Sequence, residues 1–137
     1  MDTLKQWQAY FAKDQFATGN GIELVEIGPG RAVARMTVEP RHYNAVGSVM
    51  GGALFTLADF AFAAASNSHG TVAVATDCSI SFLRPAFTGT LTAEARELSR
   101  GRTLAHYDVM IRDEQERLVA VFHGTVYRKM SPFGGDS

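Results

Sequence analysis

The 137-residue chain predicts an α+β domain in which one antiparallel sheet of about six strands wraps around a single long central helix, with a short helix ahead of it. Three observations predict this. Met50 to Ser66 is apolar on nearly all sides, which marks a buried helix rather than an amphipathic surface one. Two strand-like runs precede it, joined by the hairpin signal Gly28-Pro29-Gly30. Four more follow it, separated by short breaks that imply antiparallel neighbours. The length suits one domain with a core of its own. We therefore expect a single domain over 1–130 and a disordered tail over 131–137.

Taken in order, Thr3 to Phe16 reads as the short helix, with Leu4, Trp7, Phe11 and Phe16 on one side. Ala17-Thr18-Gly19-Asn20-Gly21 ends it, with glycines where left-handed backbone is cheap. Ile22 to Ile27 and Arg31 to Val38 are strands. In the second, Ala32, Ala34, Met36 and Val38 alternate with Arg31, Arg35 and Thr37, so one face is buried. Pro40 to Ser48 lacks periodicity and reads as a long loop. The central helix runs from Gly51 to Asn67, and His69-Gly70 closes it. The remaining strands are Thr71 to Leu83, Gly89 to Ser99, Thr103 to Arg112 and Arg117 to Arg128. A helix covered on one side by its own sheet keeps a second apolar side, and Phe60 and Phe62 are candidates for a surface covered by another subunit.

Composition narrows the function. Hydrophobic residues make up 46% and charged residues 20%, with a formal net charge of -1. Nothing here favours nucleic acid or an anionic membrane. Ala53 to Ala65 is too short and too interrupted to cross a bilayer. Met1-Asp-Thr-Leu-Lys-Gln-Trp7 does not read as a signal peptide. Cys78 is the single cysteine, which suits a reducing compartment. The expectation is a soluble cytoplasmic protein. No pair of histidines has metal-ligand spacing and Cys78 has none beside it, so no metal is expected.

Asp59 is the chain's most informative residue, a carboxylate inside its most apolar stretch. Burying an ionised group without partners is costly, and no Arg or Lys lies at helical spacing to neutralise it. It is either a structural acid paired elsewhere or a functional one. A functional carboxylate can attack a carbonyl directly or activate a water as general base. Thr56, three residues earlier on the same face, can donate a hydrogen bond to it. Gly51 and Gly52 stand where the loop enters the helix. Free N–H groups there can polarise a carbonyl brought close to side-chain-free backbone. Eight residues at the helical rise separate Gly51 from Asp59 by ~12 Å. That is too far for one acyl group, so a shared site needs two subunits. Asn44, in the preceding loop, is either a turn former or an amide that orients a ligand. Arg84, Arg100 and Arg102 stand at strand ends, as a solvated rim or as a phosphate-binding cluster.

The run Asn44-Ala-Val-Gly-Ser-Val-Met-Gly-Gly-Ala-Leu-Phe-Thr-Leu-Ala-Asp59 resembles the hotdog-fold acyl-CoA thioesterases of the PaaI-like group. Ser79-Ile-Ser-Phe-Leu-Arg-Pro-Ala86 with Gly89 to Ala93, then Gly101-Arg102 and Leu118 to Tyr127, extend the resemblance over about residues 22 to 128. The resemblance implies the hotdog fold, with dimers that pair again into homotetramers and a site at the dimer interface. It implies hydrolysis of an acyl-CoA thioester to a free acid and CoA, with no cofactor beyond the CoA of the substrate. Asp59 would be nucleophile or general base, the Gly51 amide the oxyanion donor, and Asn44 an orienting group. Met50, Gly52 and Thr56 would contact substrate, and Arg84, Arg100 and Arg102 would lie near the CoA phosphates. One position departs: the family's His-Gly-Gly is Met50-Gly51-Gly52 here. Methionine cannot donate a strong hydrogen bond. That leaves a second reading, a protein that binds acyl-CoA without hydrolysing it. A hydratase or dehydratase on the same fold ranks below both, because Asp59 has no histidine at close helical spacing.

Overall fold

The computed structural model describes residues 3–132. Helix α1 (Leu4–Phe11) begins at a capping box: the Gln6 N–H donates to Thr3 Oγ1 at 3.2 Å and the Thr3 N–H donates to Gln6 Oε1 at 3.1 Å. It does not continue to Phe16. The Lys13 and Asp14 N–H groups bond carbonyls only three residues back, tightening the last turn. The chain then redirects into α2 (Gln15–Gly19). Trp7 and Phe11 go into the core, whereas Phe16, expected on the same side, is 74% exposed.

Strands β1 (Ile22–Gly28) and β2 (Arg31–Thr37) form the expected hairpin. The expected loop contains one 3-10 turn, Pro40–His42. Helix α3 spans Gly51–Asn67 as its apolar run predicts, and β3 (Thr71–Phe82), β4 (Thr90–Arg100), β5 (Leu104–Arg112) and β6 (Leu118–Pro132) complete the chain. Residue 131 therefore lies in a strand rather than in a tail, and the tail expected beyond Pro132 lies outside the described residues. One six-stranded antiparallel sheet has the order β1-β2-β4-β5-β6-β3. The short break after β3 does not make β4 its neighbour: β3 pairs with β6, and Leu83 to Gly89 carries the chain past β6 and β5. Strand β3 forms one edge, with no strand beyond it among the described residues. The β1 edge is partly closed by α1, whose Gln8 Nε2 donates to the Leu24 carbonyl at 2.8 Å.

The sheet curls around α3, which is the hotdog arrangement. Its inner face is lined by small residues, Ala32, Ala34, Ala93, Ala95, Ala105 and Ala120, all fully buried. They leave room for a helix carrying aromatic rings. At Gly124 the fit is closest, since a Cβ there would lie 2.6 Å from Phe62 Cζ. Phe62 packs against Phe122 and Tyr107, and Phe60 meets Phe11 edge-on at 5.8 Å. These two phenylalanines, expected on a face awaiting a second subunit, are 3% and 1% exposed and are covered by their own chain.

Candidate active site

Asp59 sits at the middle of α3 and is mostly withdrawn from solvent. It lines a cavity of about 390 Å³ with Phe55, Thr56 and Phe60 on α3, and with Asp14, Phe16 and Ala17 from the α1–α2 segment. No hydrogen bond or ion pair to its carboxylate occurs among the described residues. Thr56, expected to donate to it, instead donates to the Gly52 carbonyl one turn back, at 2.8 Å. Burial pushes the Asp59 carboxyl above the ordinary carboxylate range, and the charge of Asp14 pushes it further the same way. Asp14 is raised by partial burial as well, though it stands at the open rim. A structural acid would have a partner, whereas Asp59 has a like charge facing it.

The start of α3 forms a different cavity, of about 430 Å³, lined by Gly51, Asn44 and Ser48 on one side and Phe82 and Arg84 on the other. The Gly51 and Gly52 N–H groups have no acceptor among the described residues, and Met50 provides no side-chain cap. Phe82 packs closely over Gly51: a Cβ there would lie 2.9 Å from Phe82 Cζ, so a side chain at 51 makes that exposed ring give way. Asn44 shapes the loop. Its Oδ1 accepts from the Val46 and Ser48 N–H groups at 3.0 and 3.1 Å, and its Nδ2 donates to Ser48 Oγ at 3.0 Å. One amide hydrogen is left for a ligand. His42, though in a loop, is 2% exposed: its Nδ1 accepts from the Glu39 N–H at 3.0 Å, which leaves Nε2–H to donate to the Asn20 carbonyl at 2.9 Å. Its own carbonyl accepts from the Met50 N–H, so it fixes the entry to α3.

Met50 is 52% exposed and lines a third cavity, of about 420 Å³, with Gly52, Thr56, Phe16 and Met36. The three arginines do not cluster within one chain. Arg84 follows β3 beside Gly51, while Arg100 and Arg102 lie at the opposite end of the sheet. In register, Phe82 sits opposite Ala120, and Arg100 falls in the row of Val126 through Ala105, which is ~20 Å away along the strands. Asp14 and Phe16 belong to the Asp59 cavity and carry no local sequence signal, because a break between two short helices brings them there.

A central helix wrapped by one antiparallel sheet, with an unpaired carboxylate at mid-helix and free amides at its start, defines a hotdog protein equipped for acyl-transfer chemistry. The chain belongs to the thioesterase superfamily, whose family pattern matches residues 46–120, and within it to the PaaI-like branch. It is 44% identical over 128 residues to the acyl-coenzyme A thioesterase PaaI of Escherichia coli K12, covering 90% of this chain and 91% of that protein. The solved E. coli PaaI structure, from the phenylacetic acid degradation operon, superposes with a TM-score of 0.83, covering 95% of this chain and 99% of that one at 39% identity. A Streptococcus mutans protein solved bound to acetyl CoA superposes at 0.77 with 27% identity, covering 81% of this chain and 90% of that one. Among the described residues no helix is long and apolar enough to cross a membrane.

Proposed function

We propose that this acyl-CoA thioesterase hydrolyses its substrate at a composite site, with Asp59 from one protomer facing the Gly51 amide and the Asn44 loop of a second. The observation that carries the reading is the isolated carboxylate of Asp59, raised in basicity inside an apolar cavity. Such a group can take a proton from water near neutral pH. Within one chain Asp59 and Gly51 line separate cavities, which supports two-subunit sharing. The long β3 edge, paired on one side only, gives a second copy a place to add its own strand. A homodimer built this way, paired again into a homotetramer, completes the proposal. The enzyme needs no cofactor beyond the CoA of its substrate, and the free Cys78 thiol suits a reducing cytoplasm.

In the water route, Asp59 accepts a proton as the water oxygen bonds to the thioester carbon. The Gly51 N–H holds the developing oxyanion. The C–S bond then breaks, CoA leaves as thiolate, and the acid is released. In the nucleophilic route an Asp59 oxygen bonds to the thioester carbon, the C–S bond breaks with CoA leaving as thiolate, and water then hydrolyses the anhydride to the free acid and the Asp59 carboxylate. Arg84 lies at the Gly51 cavity, so it is better placed than Arg100 or Arg102 for the phosphates of a CoA entering there.

A panel of short, medium and aromatic acyl-CoAs assayed with wild type and Asp59→Ala tests this reading. Loss of ~10²–10⁴ in kcat is expected for the variant. Equal rates would remove Asp59 from the chemistry. Calorimetric binding without thiol release would leave an acyl-CoA binding protein instead, and a large gain in Met50→His would show that the histidine's place was vacated at a cost in rate.

A further inference from the structure

The Asp59 and Met50 cavities lie side by side along one face of α3 and share two lining residues, Thr56 and Phe16. Thr56 is part of the floor, its hydroxyl folded back onto the helix at 2.8 Å from the Gly52 oxygen. Phe16 comes from α2 and lines both cavities. Its ring is 74% exposed, with no aromatic partner among the described residues. Other rings are exposed too, Phe82 and Phe87 among them, but Phe16 is the phenylalanine that lines both of these cavities. Its backbone, by contrast, is anchored. Asn20 Nδ2 donates to the Phe16 carbonyl at 2.8 Å, and the buried His42 Nε2 donates to the Asn20 carbonyl at 2.9 Å. The ring is therefore presented from a fixed point and moves by its own torsions.

Beyond Phe16, the second cavity is walled by Ile22, Met36, Ala53 and Met50. These form an apolar wall that suits an aliphatic chain; the polar lining residues Arg41 and His42 are engaged with Gly19, Glu39 and Asn20. On the near side, Asp59 sits among Phe55, Phe60 and Ala17. We propose that Phe16 is the acyl-length selector of this enzyme: its ring divides the trench along α3, confining the acyl group of a neutral thioester to the Asp59 compartment and shutting longer aliphatic chains out of the Met50 compartment. The inference rests on the thioesterase reading above and deepens it by naming the residue that sets acyl length at that site.

The test compares a straight-chain series from acetyl-CoA to lauroyl-CoA with wild type, Phe16→Ala and Phe16→Trp. The readout is the ratio of kcat/KM for the long chains to kcat/KM for the short ones. Phe16→Ala should raise that ratio by ~10-fold or more, mainly through KM, and Phe16→Trp should lower it. Opposite movement in the two variants is something a merely structural role would not give. A ratio unchanged in both variants overturns the selector. So does a uniform loss on all substrates with altered sedimentation, which would make Phe16 a subunit contact. A wild type that hydrolyses no acyl-CoA at all would instead sink the thioesterase reading, and this inference with it.

Discussion

Asp14, in the break between α1 and α2, and Asp59 on α3 line the same cavity, and neither carboxylate has a hydrogen bond or ion pair among the described residues. Two like charges sharing one cavity resist ionising together. The other titratable group facing Asp59 is Cys78 on β3, whose thiol is pushed up by burial and then by the charges of Asp59 and Asp77, so it stays neutral where carboxylates titrate. Asp14→Asn removes the like charge and lets Asp59 ionise at lower pH. The acid limb of the kcat/KM profile should shift toward lower pH, while Asp14→Glu and Cys78→Ser leave it near its original place. An unmoved limb in Asp14→Asn would show that Asp14 does not set the basicity of Asp59.

The same raised carboxyl has a stability consequence. The folded chain holds the Asp59 proton more tightly than the unfolded chain does. Between the ordinary carboxylate pKa and the raised folded one, folding therefore takes up a proton. Stability from this group rises as pH falls through that window, and at neutral pH the ionised form is a cost. Asp59→Asn should cut turnover as strongly as Asp59→Ala does, yet raise stability at neutral pH by ~0.5–2 kcal/mol. Thermal melts from neutral to acid pH check this: the gap over wild type should close as wild-type Asp59 protonates. A variant less stable at neutral pH would show that the carboxylate has a favourable partner.

The contrast between Asp59 and Asp14 shows what the sequence can carry. Asp59 was legible because an acid inside an all-round apolar helix is a local contradiction, and α3 was legible for the same apolar pattern. Asp14 and Phe16 contradict nothing locally. They enter the site only because Lys13 and Asp14 bond back three residues and turn the chain. Strand existence followed from alternation, whereas strand order did not. The seven residues from Leu83 to Gly89 reach ~23 Å when extended. That exceeds the three strand spacings, ~14 Å, between β3 and β4, so a short loop did not require them to pair. The arginines likewise stand at strand ends as read, but only the register places Arg84 at one end of the sheet and Arg100 at the other.

At the far end of α3 a second acid has the opposite character. Glu97 Oε2 accepts from His69 Nε2 at 2.6 Å and from Tyr107 Oη at 2.7 Å, tying the helix exit to β4 and β5. Burial pushes the Glu97 carboxyl up, but the two hydrogen bonds and the charges of His69 and Arg100 outweigh it, leaving it below its ordinary value. The Tyr107 phenol is pushed up, by burial first and then by its bond to Glu97. A depressed carboxyl contributes stability that is present above its unfolded pKa and lost as pH falls through the folded one. Glu97→Gln should cost ~1–3 kcal/mol at neutral pH and flatten the acid side of the stability curve. Equal acid sensitivity in wild type and variant would place that dependence elsewhere.

Gly51 permits a test of the shared site that spares the fold. It is the first residue of α3, where proline is favoured, and Met50 before it has φ -62 and ψ 140, the extended backbone that precedes proline. The Gly51 N–H has no acceptor among the described residues, so Gly51→Pro deletes the donor without breaking a hydrogen bond seen there. Loss of ~10²–10³ in kcat is expected. A Cβ at this position crowds Phe82 whichever residue carries it, so Gly51→Ala isolates that effect and should lose much less. Mixing Gly51→Pro protomers with Asp59→Ala protomers then decides the geometry. A mixed dimer has one site with both defects and one with neither, so two nearly inactive proteins together should recover about a quarter of wild-type activity after random exchange. No recovery on mixing would return both residues to a single protomer, and a loss in Gly51→Ala equal to that in Gly51→Pro would assign the effect to Phe82 rather than to the amide.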